Sequence, residues 1–127
     1  MIPPPYSQIS EGERIYEYEN IFSGSQSNKE SFDETMSLPI ENALTGFNST
    51  VFIYGMTGAG KTYTMFGKSP FSNSSESGLV SMAIDSMFSR IYSENNIQTE
   101  VGISFFEIYN ENIRDLFQEN SEPLMIM

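Results

Sequence analysis

The residues of this sequence best suited to bind a ligand lie in one short glycine-rich segment, residues 55–62. The segment satisfies the pattern G-x-x-x-x-G-K-[ST] at every fixed position. Glycines let a chain curl tightly enough for successive amides to point at one phosphate chain. Lys61 is expected to bridge the β and γ phosphates, and the Thr62 hydroxyl to bind Mg²⁺. The predicted nucleotide-binding residues are Gly55, Met56, Thr57, Gly58, Ala59, Gly60, Lys61 and Thr62.

The residues on either side of this segment favour the same function. Residues 50–54 form a β-branched and aromatic run, which predicts a central strand buried on both faces. A helix can begin at Lys61, and its positive end would face the same anion. The order strand, loop, helix is the context in which the motif binds phosphate. The alternative is a glycine turn that binds nothing.

The chain before the loop is predicted to form a lead-in, a strand and a helix. Residues 1–13 are rich in proline and polar residues and indicate a loose lead-in. Residues 14–22 begin with the alternation of a half-exposed strand. Ser27 and Glu30 fit a capping box, and Pro39 should kink the helix that follows before it ends at Gly46. The apolar stripe of that helix is Phe32, Met36, Ile40 and Leu44.

The chain after the loop predicts a helix and a further strand. Residues 69–78 are a polar, flexible loop, residues 79–92 have helical spacing, and residues 100–105 are strand-like. Together the elements predict an α/β fold with a layered sheet flanked by helices. Glu107 is a weak candidate for an acidic magnesium residue, since an apolar strand ending in Glu is common. Residues 110–115 are interpreted as structural, with charges paired on a helix or turn.

Composition excludes several functional classes. The net charge is −11, and no two of the six Lys and Arg residues are adjacent, so nucleic-acid binding is not expected. The 127 residues include no Cys and no His, which removes disulfides, thiolate metal sites and the commonest general base. The N-terminus has no signal-peptide pattern, and no stretch approaches the roughly 20 apolar residues of a membrane span. The sequence therefore predicts a protein that binds neither nucleic acid nor membranes.

Three blocks of this sequence resemble the kinesin motor domain. Residues 46–65 (GFNSTVFIYGMTGAGKTYTM) are similar to the phosphate-loop region of that family. Residues 78–88 resemble the helix after the loop, and residues 104–116 (SFFEIYNENIRDL) resemble its "EIYNE…RDLL" segment. The resemblance covers about residues 14–126, so residues 14–127 are expected to form a partial motor domain.

The resemblance implies a function and further site residues. Kinesin motor domains hydrolyse ATP and use the cycle to change their grip on microtubules, so ATP, Mg²⁺ and the microtubule are the implied cofactors and partner. Tyr63 would occupy the position whose side chain lies near the adenine. The implied location is the cytoplasm, on the microtubule cytoskeleton. No heptad is visible that would predict a coiled coil, and direction of movement, cargo and oligomeric state stay open.

The sequence departs from the family pattern in four ways. Met56 stands where the family usually has Gln, although the backbone can still bind phosphate. The R-x-R-P strand is absent, and the switch motifs N-x-x-S-S-R and D-x-x-G-x-E would come after Met127, as would the microtubule-binding elements. We therefore assign no catalytic residue and expect no ATP turnover at a motor-like rate from this chain. The alternatives are a truncated, non-catalytic nucleotide-binding or interaction module, or another ATPase or kinase of this loop class; a GTPase is disfavoured because N-K-x-D is absent.

Overall fold

The computed structural model describes residues 7–68, 76–93, 98–118 and 123–125 in two compact units, Met1–Ser93 and Glu94–Met127. The elements of the first unit are β1 (Ser7–Glu11), β2 (Arg14–Tyr18), α1 (Asn28–Thr35), α2 (Ser37–Leu44), α3 (Lys61–Phe66) and α4 (Leu79–Ser93). The second unit contains β3 (Phe106–Tyr109) and β4 (Asn112–Asp115).

The first two strands form an antiparallel hairpin in which Ile9 lies opposite Tyr16. Gly12, with φ of +62°, lies in the turn that joins them. The expectation of a loose lead-in is therefore wrong for residues 7–11, because pairing with β2 orders a segment whose own composition indicates a loop. Residues 1–6 lie outside the described residues. The strand predicted for residues 14–22 is confirmed as far as Tyr18.

Helix α1 begins at the predicted capping box. The Glu30 amide donates to the Ser27 hydroxyl at 3.2 Å, and the Ser27 amide donates to the Glu30 carboxylate at 2.8 Å. Hydrogen bonds from the Ser27 amide and hydroxyl hold the pKa of the Glu30 carboxyl below its ordinary value. The box fixes the start of α1 at Asn28.

The apolar stripe of residues 32–44 forms two helices rather than one kinked helix. The break falls at Met36, three residues before Pro39. Pro39 occupies the third position of α2. The first four N–H groups of a helix have no partner within the helix, so the lack of an N–H at Pro39 costs α2 no hydrogen bond. The predicted stop is confirmed, because α2 ends at Leu44 and Gly46 has a φ of +97°.

One small apolar core joins the helices of the first unit. Its buried members are Met36, Ile40 and Leu79. Helices α1, α2 and α4 supply most of its side chains, and Ile53, which precedes the glycine-rich segment, and Met65 of α3 pack against it. Helix α4 confirms the prediction for residues 79–92. Phe32, Met36 and Ile40 of the stripe lie in or against this core, as expected for an amphipathic helix, whereas Leu44 is 38% exposed.

Two predicted strands are wrong. Residues 50–54 and 100–105 carry no strand, and Phe52 and Tyr54 are 73% and 82% exposed. A strand requires a hydrogen-bonded neighbouring strand, and among the described residues these runs have only the single bond from the Leu116 amide to the Phe105 carbonyl at 2.8 Å. The strand propensity of a residue expresses how well its side chain fits the pleated surface of a sheet. Where no sheet is present, residues of high strand propensity do not form a strand. Residues 69–75 of the predicted polar loop lie outside the described residues.

The second unit is an antiparallel hairpin. Asn110 and Glu111 both have positive φ, 47° and 63°, as the two central residues of a type I′ turn require. Residues 112–115 then form a strand rather than a helix, and Arg114 lies opposite Glu107 in register. None of the helices in the described ranges is long and apolar enough to cross a bilayer.

Ser27→Ala should destabilise the first unit by about 1 kcal/mol, because the substitution removes the cap of α1. Urea denaturation followed by circular dichroism measures the change. Ser49→Ala is the matched control, since Ser49 is exposed and lies outside every helix. Equal stability of the two variants would show that the capping box does not contribute.

Candidate functional site

The glycine-rich segment forms an exposed loop that leads directly into α3. Gly60 caps α3 with φ of +89°, a conformation that favours glycine. The Ala59 amide donates to the Met56 carbonyl at 3.2 Å, which closes a turn inside the loop. The Thr64 amide donates to the Gly60 carbonyl at 2.9 Å and starts the helix. The predicted succession of glycine loop and helix is present, although no strand precedes it.

The Lys61 side chain folds back over the loop. Its ammonium group donates to the carbonyl oxygens of Gly55 at 2.8 Å and of Met56 at 2.9 Å. The cation is thereby held inside the curve of the loop, against backbone oxygens. Phosphate oxygens offer the same ammonium stronger, charge-assisted hydrogen bonds.

Two further residues of the loop region are exposed to solvent. The Met56 side chain is 81% exposed. Thr62 is exposed in the first turn of α3, one residue beyond Lys61. The described residues contain no group of three or more carboxylates that could hold a metal ion by themselves. A magnesium ion here would therefore depend on Thr62, on nucleotide phosphates and on water, which is how Mg²⁺ is usually bound.

Tyr63, which the resemblance places near adenine, has a partner that the sequence did not indicate. Its hydroxyl donates to the Glu76 carboxylate, and Lys68 pairs with the same carboxylate at 3.3 Å. The Lys68 amide also donates to the Glu76 carbonyl at 3.1 Å. These contacts join the end of α3 to the segment before α4.

The charges of this cluster shift two pKa values in opposite directions. The hydrogen bond from Tyr63, followed by the hydrogen bond and charge of Lys68, lowers the pKa of the Glu76 carboxyl. The hydrogen bond to Glu76 raises the pKa of the Tyr63 phenol, with burial and the charge of Glu76 adding to it. The cluster is therefore most stable with the carboxyl ionised and the phenol neutral.

Asn28 is a second residue that no motif indicated. Its amide group donates to the backbone carbonyls of Tyr63 at 3.1 Å and of Ser77 at 3.2 Å. The contact spans 35 residues in one case and 49 in the other, so no local pattern could predict it.

Glu107 does not have the environment expected of an acidic magnesium residue. It lies within β3, exposed, and opposite Arg114 of β4. A cross-strand pair of opposite charges is an ordinary way to stabilise a hairpin. The structural interpretation of residues 110–115 agrees with this pairing.

A family model for the kinesin motor domain matches residues 6–127. The chain belongs to the kinesin motor domain family. It is 37% identical over 121 residues to "Kinesin-like protein KIN-14K" of Oryza sativa, covering 94% of this chain and 12% of that protein. It is 33% identical over 124 residues to the kinesin heavy chain of Caenorhabditis elegans, covering 97% and 15%. The chain thus spans less than a sixth of these relatives.

A solved kinesin structure has the same fold. The Drosophila kinesin family member Kin10/NOD, in complex with divalent manganese and ADP, aligns with a TM-score of 0.78 at 27% identity. The alignment covers 98% of this chain and 44% of that one. The chain is therefore part of an α/β motor domain of the P-loop type, and the predicted fold class and family are confirmed.

Tyr63→Phe should raise the pKa of Glu76 toward its ordinary value, because the variant loses the largest cause of the lowering while Lys68 remains. Carboxyl-carbon NMR titration measures that pKa directly. With its pKa lowered in the folded chain, Glu76 contributes stability above its unfolded pKa and loses it as the pH falls through the folded pKa. The variant should lose less stability than the parent over this acid range.

Tyr54→Phe is the matched control, since Tyr54 is 82% exposed and its ring pairs with that of Phe52, away from Glu76 in sequence. An unchanged Glu76 pKa in Tyr63→Phe would show that the phenol does not hold the carboxylate in solution.

Proposed function

We propose that this chain is the nucleotide-binding part of a kinesin-type motor ATPase, and that residues 55–62 hold the phosphates of ATP or ADP together with Mg²⁺. The observation that carries the proposal is the complete phosphate loop with the Lys61 ammonium held inside its curve. The ADP and manganese bound to the Drosophila kinesin support it. In the whole protein, the activity would be ATP hydrolysis coupled to binding and movement along microtubules in the cytoplasm.

The residues of the loop have distinct roles in this proposal. The amides of residues 55–62 would bind phosphate oxygens, and Lys61 would exchange its two carbonyl partners for phosphate. Thr62 would hold the metal ion, whose chemistry is to neutralise charge on the β and γ phosphates. Tyr63 would lie beside the base. No residue of the described ranges is proposed to activate the attacking water.

The second candidate is a non-catalytic nucleotide-binding or interaction module. It is favoured by the net charge of −11 of these 127 residues, which repels an acidic surface such as that of a microtubule. A nucleotide-binding module would differ from the motor in turnover alone, whereas an interaction module would also be indifferent to nucleotide. Binding and turnover are therefore tested separately.

Lys61→Ala should weaken MgADP binding roughly tenfold to a hundredfold, because hydrogen bonds to charged groups are worth about 1.5–3 kcal/mol. Isothermal titration of the full chain with MgADP, MgATP and MgGTP measures affinity and base preference. Lys29→Ala is the control, because it removes the same charge from an exposed ion pair with Asp33 on α1. Nucleotide affinity that is the same in both variants would exclude residues 55–62 as the site.

The full 127-residue chain should show no microtubule-stimulated ATP turnover at a motor-like rate, because it lacks the groups that orient water at the γ phosphate. Phosphate release with and without microtubules tests this expectation. Stimulated turnover that Lys61→Ala abolishes would contradict it and would exclude the non-catalytic module.

A further inference from the structure

Asn28 is the most buried polar residue that the structure describes. It is 6% exposed, as buried as Met36 and Leu79 of the apolar core. Buried amides are stable only when their hydrogen bonds are made. Asn28 follows the Ser27 cap, so the capping box fixes the backbone from which its side chain projects. A polar side chain that is buried and whose backbone is fixed in this way indicates a specific task.

The contacts of Asn28 identify that task. Both partners of its side-chain nitrogen are backbone carbonyls, of Tyr63 and of Ser77, and only the NH₂ end of the amide can donate to them. The Tyr63 carbonyl also accepts from the Gly67 amide at 2.8 Å, at the end of α3. One NH₂ group therefore ties α3 and the segment before α4 to the start of α1.

Helix α3 depends on such ties. It has six residues and none of them is buried, whereas isolated helices shorter than about 12 residues are marginal in water. The loop before it is exposed. Its other anchors among the described residues are the Tyr63 hydroxyl on Glu76, Met65 against the core, and the crossing of Gly67 with Gly78, where a Cβ on Gly78 would overlap the Met65 carbonyl. Asn28 differs from them because its side chain holds the α3 backbone itself, at the Tyr63 carbonyl.

We infer that Asn28 is a positioning residue for the phosphate loop: its amide orients α3, and with it Lys61 and Thr62, toward the bound phosphates. The inference rests on the proposed function, because the groups that it orients are the proposed phosphate and metal ligands. Asn28 itself touches no ligand and acts through the backbone of α3. Its effect should therefore fall on nucleotide affinity and on the local order of α3, with the other helices unchanged.

The decisive variant is Asn28→Asp, which keeps the shape of the side chain and replaces the donating NH₂ with an oxygen that two carbonyls repel. Asn42→Asp, in α2, adds the same charge, and the Asn42 side chain makes no hydrogen bond to the described residues. We expect Asn28→Asp to weaken MgADP binding on the order of tenfold, as the loss of about one to two hydrogen bonds implies. Asn42→Asp should stay within about threefold of the parent chain.

Amide hydrogen exchange supplies the readout that distinguishes positioning from general stability. In Asn28→Asp, the amides of Thr64 and Gly67 should exchange faster, while those in the middle of α4 keep the protection of the parent chain. Exchange that accelerates equally in all helices, or a variant that does not fold, would assign Asn28 to the stability of the whole unit and overturn the inference. A folded variant that binds MgADP as tightly as the parent would also overturn it.

The inference and the proposed function fail in different ways. If the parent chain does not bind MgADP, the proposed function fails, and a positioning role for phosphate fails with it. If the parent chain binds and Lys61→Ala does not, while Asn28→Asp binds normally, only the inference fails.

Discussion

The packing of three helices around Met36, Ile40 and Leu79 is the constraint on which the rest of the described structure depends. These are the buried apolar residues of the part that the structure describes, and the side chains around them come mainly from α1, α2 and α4. Burial of apolar surface is the main favourable term in folding, so a core this small orders only what lies next to it. The helices, including α3 at Met65, are ordered in this way, whereas Phe52 and Tyr54 before the loop stay exposed to solvent.

The phosphate loop has a different physical character from the core that supports it. Its residues are exposed, and its curve is set by glycines, by a short turn and by the Lys61 ammonium on two backbone carbonyls. Those carbonyl contacts satisfy the cation when no phosphate is present, and a nucleotide would replace them with stronger partners. Ile53 before the loop and Met65 of α3 after it pack against the core. Polar contacts add to this link, through Asn28 and through the Tyr63–Glu76 pair.

Membership of the kinesin family accounts for the fold of the chain, whereas its function depends on the chemistry of the site. Fold and family follow from the match over residues 6–127 and from the aligned Drosophila structure. Activity depends on particular groups in particular places. The proposed phosphate-binding groups lie in residues 55–62, and no residue of the described ranges is proposed to activate water. Binding and turnover therefore depend on different groups.

The sequence by itself determined the features that depend on neighbouring residues. The capping box at Ser27, helix α4, the end of α2 near Gly46 and the glycine loop followed by α3 were all predictable, because each is decided within a few residues. Tertiary structure decided the rest. Among the described residues, no strand pairs with residues 50–54 or 100–105 to form a sheet. The break between α1 and α2 lies at Met36 rather than at Pro39, and Glu107 lies in a hairpin. Tertiary structure also brought Asn28 to Tyr63 and Ser77, a contact that no local pattern encodes because it exists only once three distant segments have packed together.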